Sequence, residues 1–393
     1  MPSSASVFCM WRCVTLSFRF ALLSVLFIVL TSCSAHRRVG VFSTVGVYFQ
    51  KVGFNSLDGW VDDDHYLAVK TFLRSCNSIF ANQLEDSAVS RYTSIGGKVR
   101  SWKRVCQEAK KVTDRASGRK FLETWFVPYQ ITDISKNAKG RFTGYYEIEL
   151  NGSRNRTTRF KYPVYATPKN ISALKGSERL THAAINRGSL AKQNLELAWV
   201  DNSARLFFMQ IQGSGVIKLQ DNEELKLGYA EQNGFPYKSV VQDIRSYSRT
   251  KIESATDMMD WLHGNGEIGQ SIMEQNPSYV FFRPIHGKSP IGAQGVPLES
   301  ERSLAIDARI FPYSTPFWVE TELPRTPNFP RSGYRRLFIA QDKGGAIKGA
   351  VRADIFFGRG RRAEELAGYM NVMGQYYALF PKTVDVPNFY MVR

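Results

Sequence analysis

Histidine and cysteine are both scarce in this sequence, with five of each in 393 residues. The histidines, at positions 36, 65, 182, 263 and 286, fall at no spacing that would gather them round a metal ion. No Walker-type phosphate loop, Rossmann glycine pattern or Gly-x-Ser-x-Gly elbow is present. The nearest approach, Gly344-Gly345-Ala346-Ile347-Lys348-Gly349, has its glycines and lysine in the wrong order for cradling phosphate. Internal repeats and low-complexity tracts are also lacking. No cofactor and no metal are therefore expected, and carboxylates are left as the candidates for chemistry.

Acids are outnumbered as well, 35 against 52 lysines and arginines, giving a formal charge of +17. Such a field attracts nucleic acid, anionic lipid or an acidic polymer alike, so location has to choose among them. Hydrophobic residues at 43% and charged residues at 22% are ordinary globular usage. The length exceeds what one core usually serves, and two domains plus a targeting segment are expected.

No apolar run is long enough to span a bilayer comfortably. The run Phe20 to Leu30, preceded by Arg12 and Arg19, suits the core of a signal peptide, so export is expected. Leu30-Thr31-Ser32-Cys33 resembles a lipobox, which makes Cys33 a candidate for lipidation, and Ser34 does not resemble an inner-membrane retention signal. The alternatives are cleavage after Cys33-Ser34-Ala35, which gives a soluble periplasmic protein, and an uncleaved anchor. Export disfavours nucleic acid as the partner. With Cys9 and Cys13 in the leader, Cys76 and Cys106 remain, either as a disulfide in an oxidising compartment or as two buried thiols.

Along the chain, Asp62-Asp63-Asp64 is read as a solvated cap for a helix through about Ser75, with Val69, Phe72, Leu73 and Cys76 on one apolar face. Helices are predicted near 102–109 and 120–126. From Gly140 the pattern turns to short strands, at 142–150, 158–165, 206–212, 216–219 and 225–227, with Asn151-Gly152 read as a hairpin turn. Two helices, 254–263 and 269–275, follow, the first opened by a Ser254/Asp257 capping box. A closing strand-rich block covers 279–282, 304–306, 317–320, 337–341, 351–357 and 376–380, with a helix near 363–370. Many short strands with glycine-rich turns point to a barrel rather than a doubly wound sheet.

Asp354 stands out among the acids because it interrupts Val351-Arg352-Ala353-Asp354-Ile355-Phe356-Phe357, a strand where Asp is disfavoured. Alternation puts Arg352, Asp354 and Phe356 on one face, so charge and desolvation push its pKa in opposite directions. An ion pair with a basic neighbour is the bland alternative. Asp342 precedes Lys343-Gly344-Gly345 and reads first as a turn residue; Asp307 is similar. Gln210-Ile211-Gln212-Gly213-Ser214-Gly215 would place two amides on one strand face, beside small residues that let a ligand approach the backbone. Tyr145, Tyr146, Tyr229 and Tyr237 offer faces for sugar rings, although most aromatics are core. Basic residues gather at Arg154, Arg156, Arg159 and Lys161 and across 331–362, either as a solvated face or as a cleft for a polymer bearing carboxylates.

Phe142-Thr143-Gly144-Tyr145-Tyr146, Gln210 to Gly215, Gly228-Tyr229-Ala230, Asn233-Gly234, Asn276 to Phe282 and Asp342 to Gly349 followed by Asp354-Ile355 together resemble the membrane-bound lytic murein transglycosylase A family. The resemblance runs from about Phe49 to Pro381. It implies a mainly β fold with some helices: a double-psi β-barrel built from N- and C-terminal segments, interrupted by an inserted second small β-barrel domain. The corresponding boundaries are 1–33 for the signal peptide, 34–150 for the helical segment and first part of the barrel, 151–285 for the insert and 286–393 for the closing three-aspartate module.

The resemblance places Asp354 at the catalytic position with Asp342 beside it. Thr143, Tyr145, Gln212, Ser214, Asp307 and Lys348 become substrate-binding candidates. Lys343 departs from the family, which commonly has a small or hydroxyl residue there. The implied activity is that of a polysaccharide lyase, a peptidoglycan exotransglycosylase, with glycan strands and outer-membrane lipid as partners. A single carboxylate would act as acid and then base, closing a 1,6-anhydro ring on N-acetylmuramic acid, where hydrolases normally need two. The rival from another class is a non-catalytic peptidoglycan-binding lipoprotein.

Overall fold

A computed structural model describes residues 45–81, 84–171, 179–287 and 289–392. The leader and Cys33 lie outside the described residues. Strand β1 (Gly46–Lys51) precedes helices α1 (His65–Ala81), α2 (Val99–Ala109) and α3 (Arg115–Trp125). Strands β2 (Phe126–Asp133), β3 (Gly140–Ser153) and β4 (Tyr162–Tyr165) follow, then α4 (His182–Asn186), β5 (Glu196–Val200), α5 (Ser203–Gln212), β6 (Ser214–Leu219) and β7 (Glu224–Gln232). Helices α6 (Val241–Tyr247), α7 (Ala255–Gly264) and α8 (Gly266–Met273) lead to β8 (Val280–Pro284). The closing block is β9 (Ser303–Ala305), β10 (Pro316–Leu323), β11 (Ser332–Asp342), β12 (Arg352–Arg359), α9 (Arg361–Tyr369), β13 (Asn371–Pro381) and β14 (Phe389–Met391). No helix among the described residues is long and apolar enough to cross a membrane.

The helices start where local chemistry allows. Asp64 caps α1 by accepting from the Leu67 N–H at 3.1 Å, and Val69, Phe72 and Cys76 face the core as the spacing requires. Cys76 of α1 and Cys106 of α2 form a disulfide across 30 residues. The Ser254/Asp257 capping box opens α7, and an Asp114/Ser117 box opens α3.

The strands form a mixed sheet in the order β14-β1-β2-β13-β10-β11-β9-β12-β3-β6-β7-β8, and an added β13–β3 pairing joins two members of that order a second time. As a result β13, β10, β11, β9, β12 and β3 complete a ring of paired strands. Leu304, Phe317, Ile339, Ile355 and Phe380 are buried in its core, each contributing about 1.5–3 kcal/mol of burial. The first half of β3 pairs with β12 and β13, and the second half pairs with β6 and β5. One strand thus links the ring to the middle segment.

Three readings of the sequence are corrected. Asn151-Gly152 is no hairpin turn: β3 runs through it, and a Cβ at Gly152 would sit 2.3 Å from the Ile217 side chain and 2.9 Å from the Trp199 carbonyl. Glycine is needed there for close approach within the sheet. Residues 206–212 are helix, not strand. Asn202 caps α5 through the Arg205 N–H, and Gly213 ends it at φ 81°, a left-handed conformation that glycine adopts freely. An almost unbroken apolar run such as Leu206 to Met209 carries no period to separate the two states. Finally, Asp63 is not a solvated cap. It is buried in a two-pronged ion pair with Arg302, at 2.7 and 2.8 Å, and also accepts from the Leu337 N–H.

Candidate active site

Short β9 lies between the two strands that carry the suspected acids. Ala305 pairs with Asp342 of β11 on one side and with Asp354 of β12 on the other, which places the two acid-bearing strands about 9–10 Å apart. Across β12, Asp354 is in register with Thr143 of β3 and Phe356 with Tyr145. The sheet therefore assembles Asp354, Thr143, Asp342 and Tyr145, which sequence separates by up to 211 positions. Gly144 has to be glycine between them, since a Cβ would meet the Phe357 ring at 2.6 Å and the Ala367 Cα of α9 at 2.9 Å.

The two carboxylates are held differently. Asp342 accepts three hydrogen bonds: from the Ala293 and Lys343 N–H groups on Oδ1, and from the Tyr145 hydroxyl on Oδ2, each at 2.9 Å. Sequence reads Asp342 first as a turn residue, whereas it ends strand β11 and pairs with Ala305. Asp354 accepts one, from the Thr143 hydroxyl at 2.5 Å. Tyr145 packs on Phe356 with ring centroids 5.2 Å apart, and with Leu298, Ala305 and Ile347 they make a small apolar cluster between the acids.

Burial raises the pKa of both carboxyls. For Asp354 the Thr143 hydrogen bond and the Arg352 charge work against the rise, and the Asp342 charge adds to it. For Asp342 the two backbone N–H groups and Tyr145 oppose it. Three donors favour the charged form of Asp342 and one that of Asp354, so hydrogen bonding opposes the effect of burial unequally at the two carboxyls. The bland reading of Asp354 as an ion-pair partner does not hold: the Arg352 guanidinium donates to the Ala353 carbonyl at 2.5 Å and to the Arg141 carbonyl at 3.4 Å. Desolvation, which sequence alone could not weigh, sets the direction.

The remaining candidates divide. Asp307 is buried, and its pKa falls: burial raises it, but Arg309 and the N–H groups of Gly349 and Arg309 outweigh that. It anchors the loop between β11 and β12 through Gly349, whose φ of 116° suits glycine. The Gln212 side-chain carbonyl accepts from the Tyr146 N–H at 3.1 Å, fastening α5 to β3. Ser214 is buried in β6, opposite Gly228, and Gly215 is pressed against Met209, so chain packing uses these small residues. Lys348 is exposed. The Ala293 N–H on Asp342 was not foreseen; nothing local to residue 293 announces it.

Against known proteins, residues 141–283 match the MltA specific insert domain and residues 302–380 the 3D domain. Membrane-bound lytic murein transglycosylase A of Escherichia coli K12 is 30% identical over 307 residues, covering 76% of this chain and 81% of that one. The chain belongs to the membrane-bound lytic murein transglycosylase A family. Among solved structures of the family, MltA from Neisseria gonorrhoeae superposes with a TM-score of 0.72 at 28% identity, covering 86% of this chain and 94% of that one. E. coli MltA with bound chitohexaose superposes with a TM-score of 0.63 at 26% identity, covering 85% and 94%. The 3D match covers β11 and β12, which carry Asp342 and Asp354, and the insert match begins in the first half of β3, which carries Thr143 and Tyr145.

Proposed function

We infer that this chain is a peptidoglycan lytic transglycosylase in which Asp354 is the one catalytic carboxylate. The observation that carries the assignment is the asymmetry between the acids: Asp354 is desolvated with a single hydroxyl donor, whereas Asp342 is held by three. Protonated Asp354 donates to the glycosidic oxygen between N-acetylmuramic acid and N-acetylglucosamine. The resulting carboxylate then takes the proton from the muramoyl C6 hydroxyl, whose oxygen attacks C1 and closes the 1,6-anhydro ring. Asp342, whose three donors favour its anionic form against the burial that raises its pKa, stabilises the positive charge that develops on the sugar ring. Thr143 and Tyr145 fix the two carboxylates, and the β3 strand that holds them brings the glycan against both.

The ring of six strands supports a double-psi barrel for the opening and closing segments, with the middle segment inserted into it. The relatives' names, together with the signal-peptide pattern, support an exported, envelope-associated protein, anchored through a lipidated Cys33 in the outer membrane. Bound chitohexaose in the E. coli relative supports glycan strands as the ligand. The test is digestion of purified sacculi by the chain and by its Asp354→Asn variant. Release of anhydro-muropeptides, one water lighter than hydrolytic products, should be lost in the variant by about three orders of magnitude or more. Undiminished solubilisation would reject Asp354, and hydrated ends would reject the chemistry.

A further inference from the structure

Part of the chain's basic excess near the site is neutralised within the fold, and two of the cations that no carboxylate neutralises meet on one aromatic ring. In the stretch 331–362, Arg331, Arg335, Arg336, Arg359 and Arg362 each pair with a carboxylate. Lys343, directly after Asp342, pairs with none among the described residues. Its ammonium lies over the Tyr92 ring, 5.0 Å from the centroid. Arg91 shares that ring at 4.8 Å and donates to the Tyr92 hydroxyl at 2.6 Å, again with no carboxylate partner. Tyr92, exposed to 37%, meets Tyr313 edge-on at 6.2 Å, and the Tyr313 hydroxyl is buried without a hydrogen-bond partner.

Two cations on one aromatic ring repel each other, which offsets part of what each gains from the ring. An anion arriving at the ring would relieve the repulsion, and a half-exposed tyrosine supplies a face for the apolar part of the group that bears it. Lys343 is tied to Asp342 through its own backbone N–H, so a group held there is within one residue of the acid that faces the sugar. N-acetylmuramic acid differs from N-acetylglucosamine by a lactyl ether that ends in a carboxylate or continues into a peptide with carboxylates of its own. We propose that Arg91, Tyr92 and Lys343 form a subsite beside Asp342 that binds the carboxylate-bearing substituent of a muramoyl residue. The proposal rests on the transglycosylase reading for its substrate.

Affinity is measured by calorimetry on the full chain carrying Asp354→Asn, so that cleavage does not enter, with three glycan strands. The first carries stem peptides, the second has its peptides removed and its lactyl carboxylates free, and the third has those carboxylates converted to neutral methylamides. Adding Arg91→Gln and Lys343→Gln should weaken binding about tenfold for at least one charged strand and leave the neutral strand unchanged. Arg91→Lys with Lys343→Arg should restore it. Weakening on the peptide-bearing strand alone assigns the peptide carboxylates, and weakening on the second strand alone assigns the lactyl group. Equal weakening on all three strands, or none on any, overturns the proposal. Product masses from the chain without these substitutions judge the transglycosylase reading separately.

Discussion

Replacing Thr143 by valine removes the one donor to Asp354 while keeping the shape of the residue. The hydroxyl donates to Asp354 at 2.5 Å, and a hydrogen bond to a charged group is worth about 1.5–3 kcal/mol. That donor favours the carboxylate, so its loss raises the folded pKa further and extends the protonated acid to higher pH. The alkaline limb of the pH–rate profile for anhydro-muropeptide release should then move upward by about one to two pH units. Activity at pH 6 would change less than activity on the alkaline flank. Thr143→Ser, which keeps the hydroxyl, should leave the limb in place. The assay is product release from sacculi, quantified by mass across pH 4–9 for the three proteins. An alkaline limb that stays put, or falls, in Thr143→Val would refute the claim that this hydrogen bond acts on the ionisation of the general acid.

Other consequences concern the scaffold. Arg302→Ala strands Asp63 as a buried, unpaired charge, and urea denaturation should show a loss of about 3–5 kcal/mol, recovered in large part by the double change Asp63→Leu with Arg302→Met. Reduction of the Cys76–Cys106 bridge, which closes a loop of 30 residues, should cost about 3–4 kcal/mol, seen as a lower denaturation midpoint in the presence of reductant. Glu147 is 2% exposed, with Oε1 lacking a donor, and burial raises its pKa against the opposing charges of Arg359 and Lys226. A raised folded pKa means its contribution is fully present below the unfolded carboxylate range and is lost as pH rises through the folded value. Glu147→Gln should therefore be more stable than the parent at pH 8, by about 1 kcal/mol or more, with the gap closing by about pH 4; a constant gap across that range would contradict the sign.

The sequence by itself determined the elements whose signals are local. The apolar spacing of Val69, Phe72 and Cys76, the Ser254/Asp257 box and the placement of Asp354 in a strand that should exclude it were all legible, because capping and periodicity act over a few residues. Collinear motifs from Phe49 to Pro381 carried the family. Tertiary structure decided what depends on distant partners. An unbroken apolar run became helix α5 because its ends, not its interior, carried the information, and Asn151-Gly152 stayed extended because β5 and β6 pack against it. Asp63 left the surface because Arg302, 239 positions away, neutralises it in the core. The difference in hydrogen bonding between Asp342 and Asp354 was likewise beyond the sequence. It follows from how many donors the fold brings to each carboxylate, and β9 brings both into one site only when the ring of strands is complete.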